Sequence, residues 1–144
     1  MTDNVTKPET VHASSVALGV AAVLIIGPAG SGKSGLALAL MALGARLIAD
    51  DYTILWQKDG AVWARAPDQI RGQIEARGVG ILAAETCAAA PVRLIVDLGR
   101  RETERLPPRR SMVMLGQSLP CLHKIDAPHF HAAIAQYMKS GRIA

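Results

Sequence analysis

Residues 23–34 read VLIIGPAGSGKS, and the fold follows from how that stretch divides. Residues 20–26 (VAAVLII) are a short, continuous apolar run closed by Gly27 and Pro28, the pattern of a strand buried on both faces. Residues 27–34, GPAGSGKS, match G-x-x-x-x-G-K-[ST], a loop that cradles phosphate. Residues 33–43 (KSGLALALMAL) are strong helix formers ending at Gly44, a residue suited to the left-handed position after a helix. Leu and Ala lie nearly all round that segment, so the expected helix is covered on most sides. Strand, loop and helix in this order form the context the motif needs, and they predict an α/β fold.

The loop residues Gly27, Pro28, Ala29, Gly30, Ser31, Gly32, Lys33 and Ser34 are the candidate nucleotide site. Glycines let the backbone turn until successive amides face a phosphate, and the helix N-terminus adds partial positive charge. The helix dipole contributes about 0.3–1 kcal/mol and each hydrogen bond to a charged group about 1.5–3 kcal/mol, so the amides dominate. Lys33 is expected to place its ammonium between the β- and γ-phosphates, and Ser34 to offer its hydroxyl to Mg²⁺. Asp50 and Asp51 follow Lys33 at the distance of one helix plus a returning strand, residues 45–49, expected to run parallel to the first. They therefore arrive at the edge where open α/β sheets bind ligands. Both acids share one site only if the strand ends there; their repulsion, moderated by a metal, then leaves one a usable general base.

Outward from this centre, residues 52–66 predict a hairpin turned at Asp59-Gly60 and stopped by Pro67. Residues 68–77 are expected to form a short helix, 92–98 a strand ending near Asp97, and 99–110 a loop. Residues 112–125 hold one or two strands broken by Gly116 and Pro120. A closing amphipathic helix starts with Asp126 as its cap and runs to Gly141. Residues 1–10 are polar and aperiodic, a disordered tail, and 11–144 form a single domain.

Composition narrows the function classes. The chain has 144 residues, 50% hydrophobic and 19% charged, which fits one ordered domain and excludes global disorder. Its net charge of +4 invites a nucleic-acid reading, but aromatic residues are only 3%, so no stacking platform exists and Glu102 and Glu104 interrupt the arginines of 100–110. We therefore expect no nucleic-acid partner. The longest apolar stretch is about half of the roughly 20 residues that cross a bilayer, and residues 1–10 lack the cationic start of a signal peptide. The expectation is a cytoplasmic protein without membrane contact. Cys87 and Cys121 stand far apart with no ligand-like spacing, so both are expected to be reduced thiols.

Four blocks in order, VHASSVAL, VLIIGPAGSGKS, GARLIADD and IEARGVGIL, resemble the HPr kinase/phosphorylase family in its C-terminal catalytic domain, in the short form known from alphaproteobacteria. The resemblance covers roughly residues 11–98. It implies a P-loop kinase domain, akin in fold to phosphoenolpyruvate carboxykinase, that uses ATP and Mg²⁺ to phosphorylate a serine of an HPr-like phosphocarrier protein of the phosphotransferase system. By the same resemblance His12, Lys33, Asp50, Asp51 and Arg77 are catalytic, Ser34 and Asp51 face the metal, and one aspartate accepts the serine proton. In the reverse direction that carboxyl would act as acid in phosphorolytic dephosphorylation. Two departures from the family are expected: its N-terminal domain is expected to be missing, since the kinase part starts near residue 11, and its Pro-Val-Arg-Pro-Gly-Arg-Asn loop corresponds here to residues 124–130, KIDAPHF. The family forms hexamers, and the apolar helix after Lys33 permits a homo-oligomer contact. The residues themselves leave two other readings open: a small-molecule P-loop kinase using the 100–110 loop as a lid, and an ATP-binding regulatory module without phosphoryl transfer.

Overall fold

A computed structural model describes residues 7–144. The elements in chain order are β1 (Glu9–Leu18), β2 (Ala21–Ile26), α1 (Lys33–Ala42), β3 (Arg46–Ala49), β4 (Tyr52–Lys58), β5 (Ala61–Arg65), a 3₁₀ turn (Asp68–Ile70), β6 (Gln73–Ala76), β7 (Gly80–Ala83), β8 (Ala89–Arg101), β9 (Arg110–Met114), β10 (Gln117–Lys124) and α2 (Phe130–Ser140). The fold is α/β and dominated by sheet. Strands β1, β4, β5, β8 and β2 pair in succession and β2 returns to β1, so five strands close a ring. Small side chains fill it: Ala13, Ala17, Ala22, Leu24, Ala64 and Ile95 are among the fully buried residues of one cluster. A second cluster, with Val23, Ile25, Leu40, Leu94 and Ile134, lies where α1 and α2 cover the sheet. Few aromatics are needed because both spaces are narrow enough for Ala, Val, Leu and Ile.

β2 and β8 run parallel, with Ile26 opposite Asp97, and β8 and β10 run parallel, with Asp97 opposite His123. Their C-terminal ends thus share one edge, the edge that carries the glycine-rich loop. β3 and β2 each pair antiparallel with β1, so β3 runs in the direction expected, but with β1 between the two. The β4–β5 hairpin turns at Asp59 (φ 52°) and Gly60 (φ 80°), the two positive φ values a two-residue type I′ turn requires.

Several expectations are corrected. Glu9 and Thr10 are not tail: they pair with Leu55 and Ile54 at the start of β1, while residues 1–6 lie outside the described residues. The expected helix at 68–77 is a single 3₁₀ turn followed by β6, because Gly72 takes φ 75° and Ile74 and Ala76 alternate inward with period two. Helix α1, by contrast, is covered on most sides as expected: Lys33, Ala37 and Leu40 are buried, Leu36, Leu38 and Met41 pack partly buried against the second cluster, and exposure is found at Gly35, Ala42 and, just beyond the helix, Leu43. β8 continues through Arg101, which pairs with Lys124, so the loop is shorter than 99–110. Pro120 does not break β10. Counting from the two-residue turn at 115–116, it faces Ser111 at a pair that exchanges no ladder bonds. Asp126 does not cap α2, which starts after His129; its carboxylate instead pairs with Arg101 and, at 3.9 Å, with Lys124.

The arginine-rich segment is anchored, not merely solvated. Arg110 makes two 2.9 Å bonds to the two oxygens of Glu102, whose side chain is 6% exposed. Those bonds, reinforced by the amides of Glu104 and Thr103, pull the Glu102 pKa down from 4.5 to about 2. Both cysteines are free thiols, and burial pushes Cys121 up, away from thiolate.

Two outcomes follow from this packing. Truncating Leu24→Ala inside the ring should cost about 2–5 kcal/mol in urea unfolding. Because the Glu102 pKa is depressed on folding, its contribution is complete above pH 4.5 and drains away as pH falls toward about 2. Glu102→Gln should therefore flatten the acid limb of a stability-against-pH curve in that window and leave its neutral-to-basic shape unchanged.

Candidate active site

The loop after β2 turns on Gly27, Gly30 and Gly32, all at positive φ (149°, 80° and 101°). At Gly27 a side chain would strike Ser31 Oγ at 2.6 Å and Leu98 Cβ at 3.2 Å, so this position is closed to a Cβ on steric as well as conformational grounds. Ser31 N–H donates to the Pro28 carbonyl at 3.1 Å, closing the turn. Beside it, the end of β8 braces the loop. Asp97, 7% exposed, accepts the Gly99 amide at 2.8 Å, and a Cβ on Gly99 would lie 3.2 Å from the Pro28 ring.

Lys33 and Ser34 begin α1. Lys33 Nζ donates to the carbonyls of Gly27 (2.9 Å) and Pro28 (3.2 Å), and among the described residues no carboxylate pairs with it. Ser34 Oγ donates to Asp50 Oδ1 at 2.6 Å. The same oxygen accepts Ser14 Oγ at 3.0 Å, and Asp50 Oδ2 accepts the Glu75 amide at 3.0 Å. Asp50 is 8% exposed. No described Lys or Arg forms an ion pair with it.

Asp51 behaves differently although it is the next residue. The Tyr52 amide bonds back to the Asp50 carbonyl at 2.7 Å with Asp51 at φ 67°, a γ-turn of the strained hand. This kink throws the Asp51 carboxylate outward, where Oδ1 lies 2.7 Å from His12 Nε2, both side chains about half exposed. His12 also packs against the Tyr52 ring, with centroids 5.4 Å apart. The register explains the meeting: β1 pairs His12 with Tyr52 and Ser15 with Ala49, so the aspartates fill the break in the ladder opposite Ala13 and Ser14.

Of the expected residues, the fold therefore brings His12, the loop with Lys33 and Ser34, Asp50 and Asp51 to one edge. The pairings are Ser34 with Asp50 and His12 with Asp51. Arg77 is exposed on the turn of the β6–β7 hairpin, two residues after Glu75, whose amide attaches β6 to Asp50. Sequence reasoning missed Ser14 and the bracing Asp97. For Ser14 a signal existed: it lies two positions after His12 on an extended segment, hence on the same face.

The residues fit a nucleoside triphosphate with a divalent cation. Among the described residues, Ser31 Oγ is buried with no hydrogen-bond partner, a donor left over inside the cradle, and the Lys33 ammonium is met by the Gly27 and Pro28 carbonyls without a carboxylate. On the other side, a buried carboxylate without a cation, joined to a serine hydroxyl whose lone pairs remain available, is a hard oxygen donor set of the kind Mg²⁺ takes.

Comparison with known proteins gives a consistent family. An HPr kinase/phosphorylase of Leptothrix cholodnii is 40% identical over 98 aligned positions, covering 59% of this chain and 30% of that protein. One from Lactobacillus acidophilus is 42% identical over 77 positions, 53% of this chain and 24% of its own. The chain thus spans less than a third of the length of these curated relatives. A solved structure, the Hpr(Ser) kinase/phosphatase from Coxiella burnetii, superposes with a TM-score of 0.76 at 24% identity, over 91% of this chain and 88% of that one, a likeness of fold. Residues 3–105 match the family described as the HPr Serine kinase C-terminal domain, and the chain belongs to that family.

Proposed function

We propose that the chain is an ATP- and Mg²⁺-dependent protein serine kinase whose substrate is an HPr-like phosphocarrier protein. The observation that carries this reading is the separation of two adjacent carboxylates: Asp50 turned inward under three donors beside Ser34, Asp51 turned outward onto His12. A kinase needs one acid for the cation side and another for the hydroxyl to be phosphorylated, and here one γ-turn supplies both.

In this account the loop amides and Ser31 Oγ bind the phosphates, and Lys33 exchanges its carbonyl partners for phosphate oxygens. Mg²⁺, when bound, neutralises phosphate charge next to Ser34, with Asp50 orienting that hydroxyl; the resemblance would put Asp51 at the metal, and the pairing seen favours Asp50. Asp51 accepts the proton of the substrate serine while its oxygen attacks the γ-phosphorus. The new bond is serine O–P, the bond that breaks joins the γ-phosphorus to the bridging oxygen, and its electrons leave with ADP. His12 holds the Asp51 carboxylate toward solvent, where a protein serine can reach it. Arg77, on the hairpin attached to Asp50, is assigned to the transferring phosphoryl group.

Incubation with Mg-ATP and a purified HPr-like carrier should give phosphoserine by mass spectrometry, and Lys33→Ala should abolish it. Asp51→Asn should lower kcat by about 10²–10⁴ with ATP affinity nearly unchanged. Phosphate appearing on a metabolite, or ATP binding with no transfer, would refute the assignment. Gly27→Ala should weaken ATP binding at least tenfold in calorimetry, since its methyl group displaces Ser31 from the cradle.

A further inference from the structure

We infer that Ser14 is a positioning residue that ties the cation side of this site to its base side, and that its hydroxyl fixes the turn on which Asp51 acts. One oxygen does two things. Ser14 Oγ donates to Asp50 Oδ1 at 3.0 Å and accepts the Asp51 amide at 3.0 Å. It is completely buried, in the middle of β1.

The need for it comes from the ladder. β1 hands its backbone bonds to β4 up to the His12–Tyr52 pair and to β3 from the Ser15–Ala49 pair onward. Between those pairs the opposite chain leaves the extended path, and the Asp51 amide is carried to a serine hydroxyl in place of a strand carbonyl. Asp51 is held at φ 67°, a conformation L-residues avoid, so the turn persists only while its surroundings over-determine it. Two bonds do so: Tyr52 N–H to the Asp50 carbonyl, and Asp51 N–H to Ser14. The neighbouring Ser15 takes no part, since its hydroxyl is engaged with Thr53 at 2.9 Å. Removing Ser14 Oγ therefore loosens the base-bearing turn and takes one of two hydroxyl donors from the oxygen that Ser34 also uses. The lysine, the glycines and their amides are untouched.

The catalytic part of this inference rests on the kinase reading; the structural part does not, and the experiment separates them. Ser14→Ala and Ser14→Thr are prepared in the full chain alongside the wild type. Amide hydrogen exchange should be about tenfold faster at Asp51 in Ser14→Ala, the factor that one hydrogen bond carries, and close to wild type in Ser14→Thr, which keeps the hydroxyl. With Mg-ATP and the carrier, Ser14→Ala should lose at least tenfold in kcat with the KM for ATP within twofold, and Ser14→Thr should recover most of it. Equal Asp51 protection in wild type and Ser14→Ala overturns the inference, as does a rise in the KM for ATP that accounts for the loss. If Ser14→Thr unfolds, Ser14→Cys, judged by the same exchange readout, replaces it. If the wild type transfers no phosphate, the proposed function falls while the exchange result still decides the role of Ser14.

Discussion

A carboxylate taken out of water without a cation beside it must have its lone pairs answered by donors, or it destabilises the fold by several kcal/mol. Asp50 is in that position. Its oxygens collect a hydroxyl from β1, a hydroxyl from the first turn of α1 and an amide from β6, so three segments distant in sequence are held at one point. Each bond to a charged acceptor contributes about 1.5–3 kcal/mol, enough together to offset the burial. All three donors are neutral, and among the described residues no Lys or Arg pairs with this carboxylate.

From that anchor the rest of the edge follows. The ring of β1, β4, β5, β8 and β2 sets the register that puts Ser14 opposite the aspartates, and β8 braces the loop through Asp97 and Gly99. Because Asp50 is pulled inward, the chain has to reverse within one residue, and Asp51 absorbs the change at positive φ. The strain and the outward carboxylate have a single cause. Two neighbours in sequence thus point apart, Asp50 inward to Ser34 and Asp51 outward to His12.

What could be read from the sequence was local. The glycine loop, its lysine and serine, and the Asp59-Gly60 turn are short patterns whose chemistry needs those residues at those spacings. The arrival of Asp50 near the loop followed from counting one helix and one strand. Non-local pairing hid the rest. Ser14 sits in VHASSVAL without a motif of its own, and its role exists only once β1 lies against both β3 and β4. Residues 68–77 carried enough helix formers to suggest a helix, but Gly72 and the attachment of the Glu75 amide to Asp50 make the second half a strand. Asp126 looked like a helix cap until Arg101, at the end of β8 and two strands earlier in the chain, claimed it.

The Asp50 carboxylate holds the β6–β7 hairpin and the serine-bearing strand to the phosphate loop. In residue-resolved hydrogen exchange on Asp50→Ala, compared with wild type at neutral pH, the Glu75 and Asp51 amides should lose protection together while those of β2 and β8 in the closed ring keep theirs. Unchanged protection at Glu75 and Asp51 would contradict it.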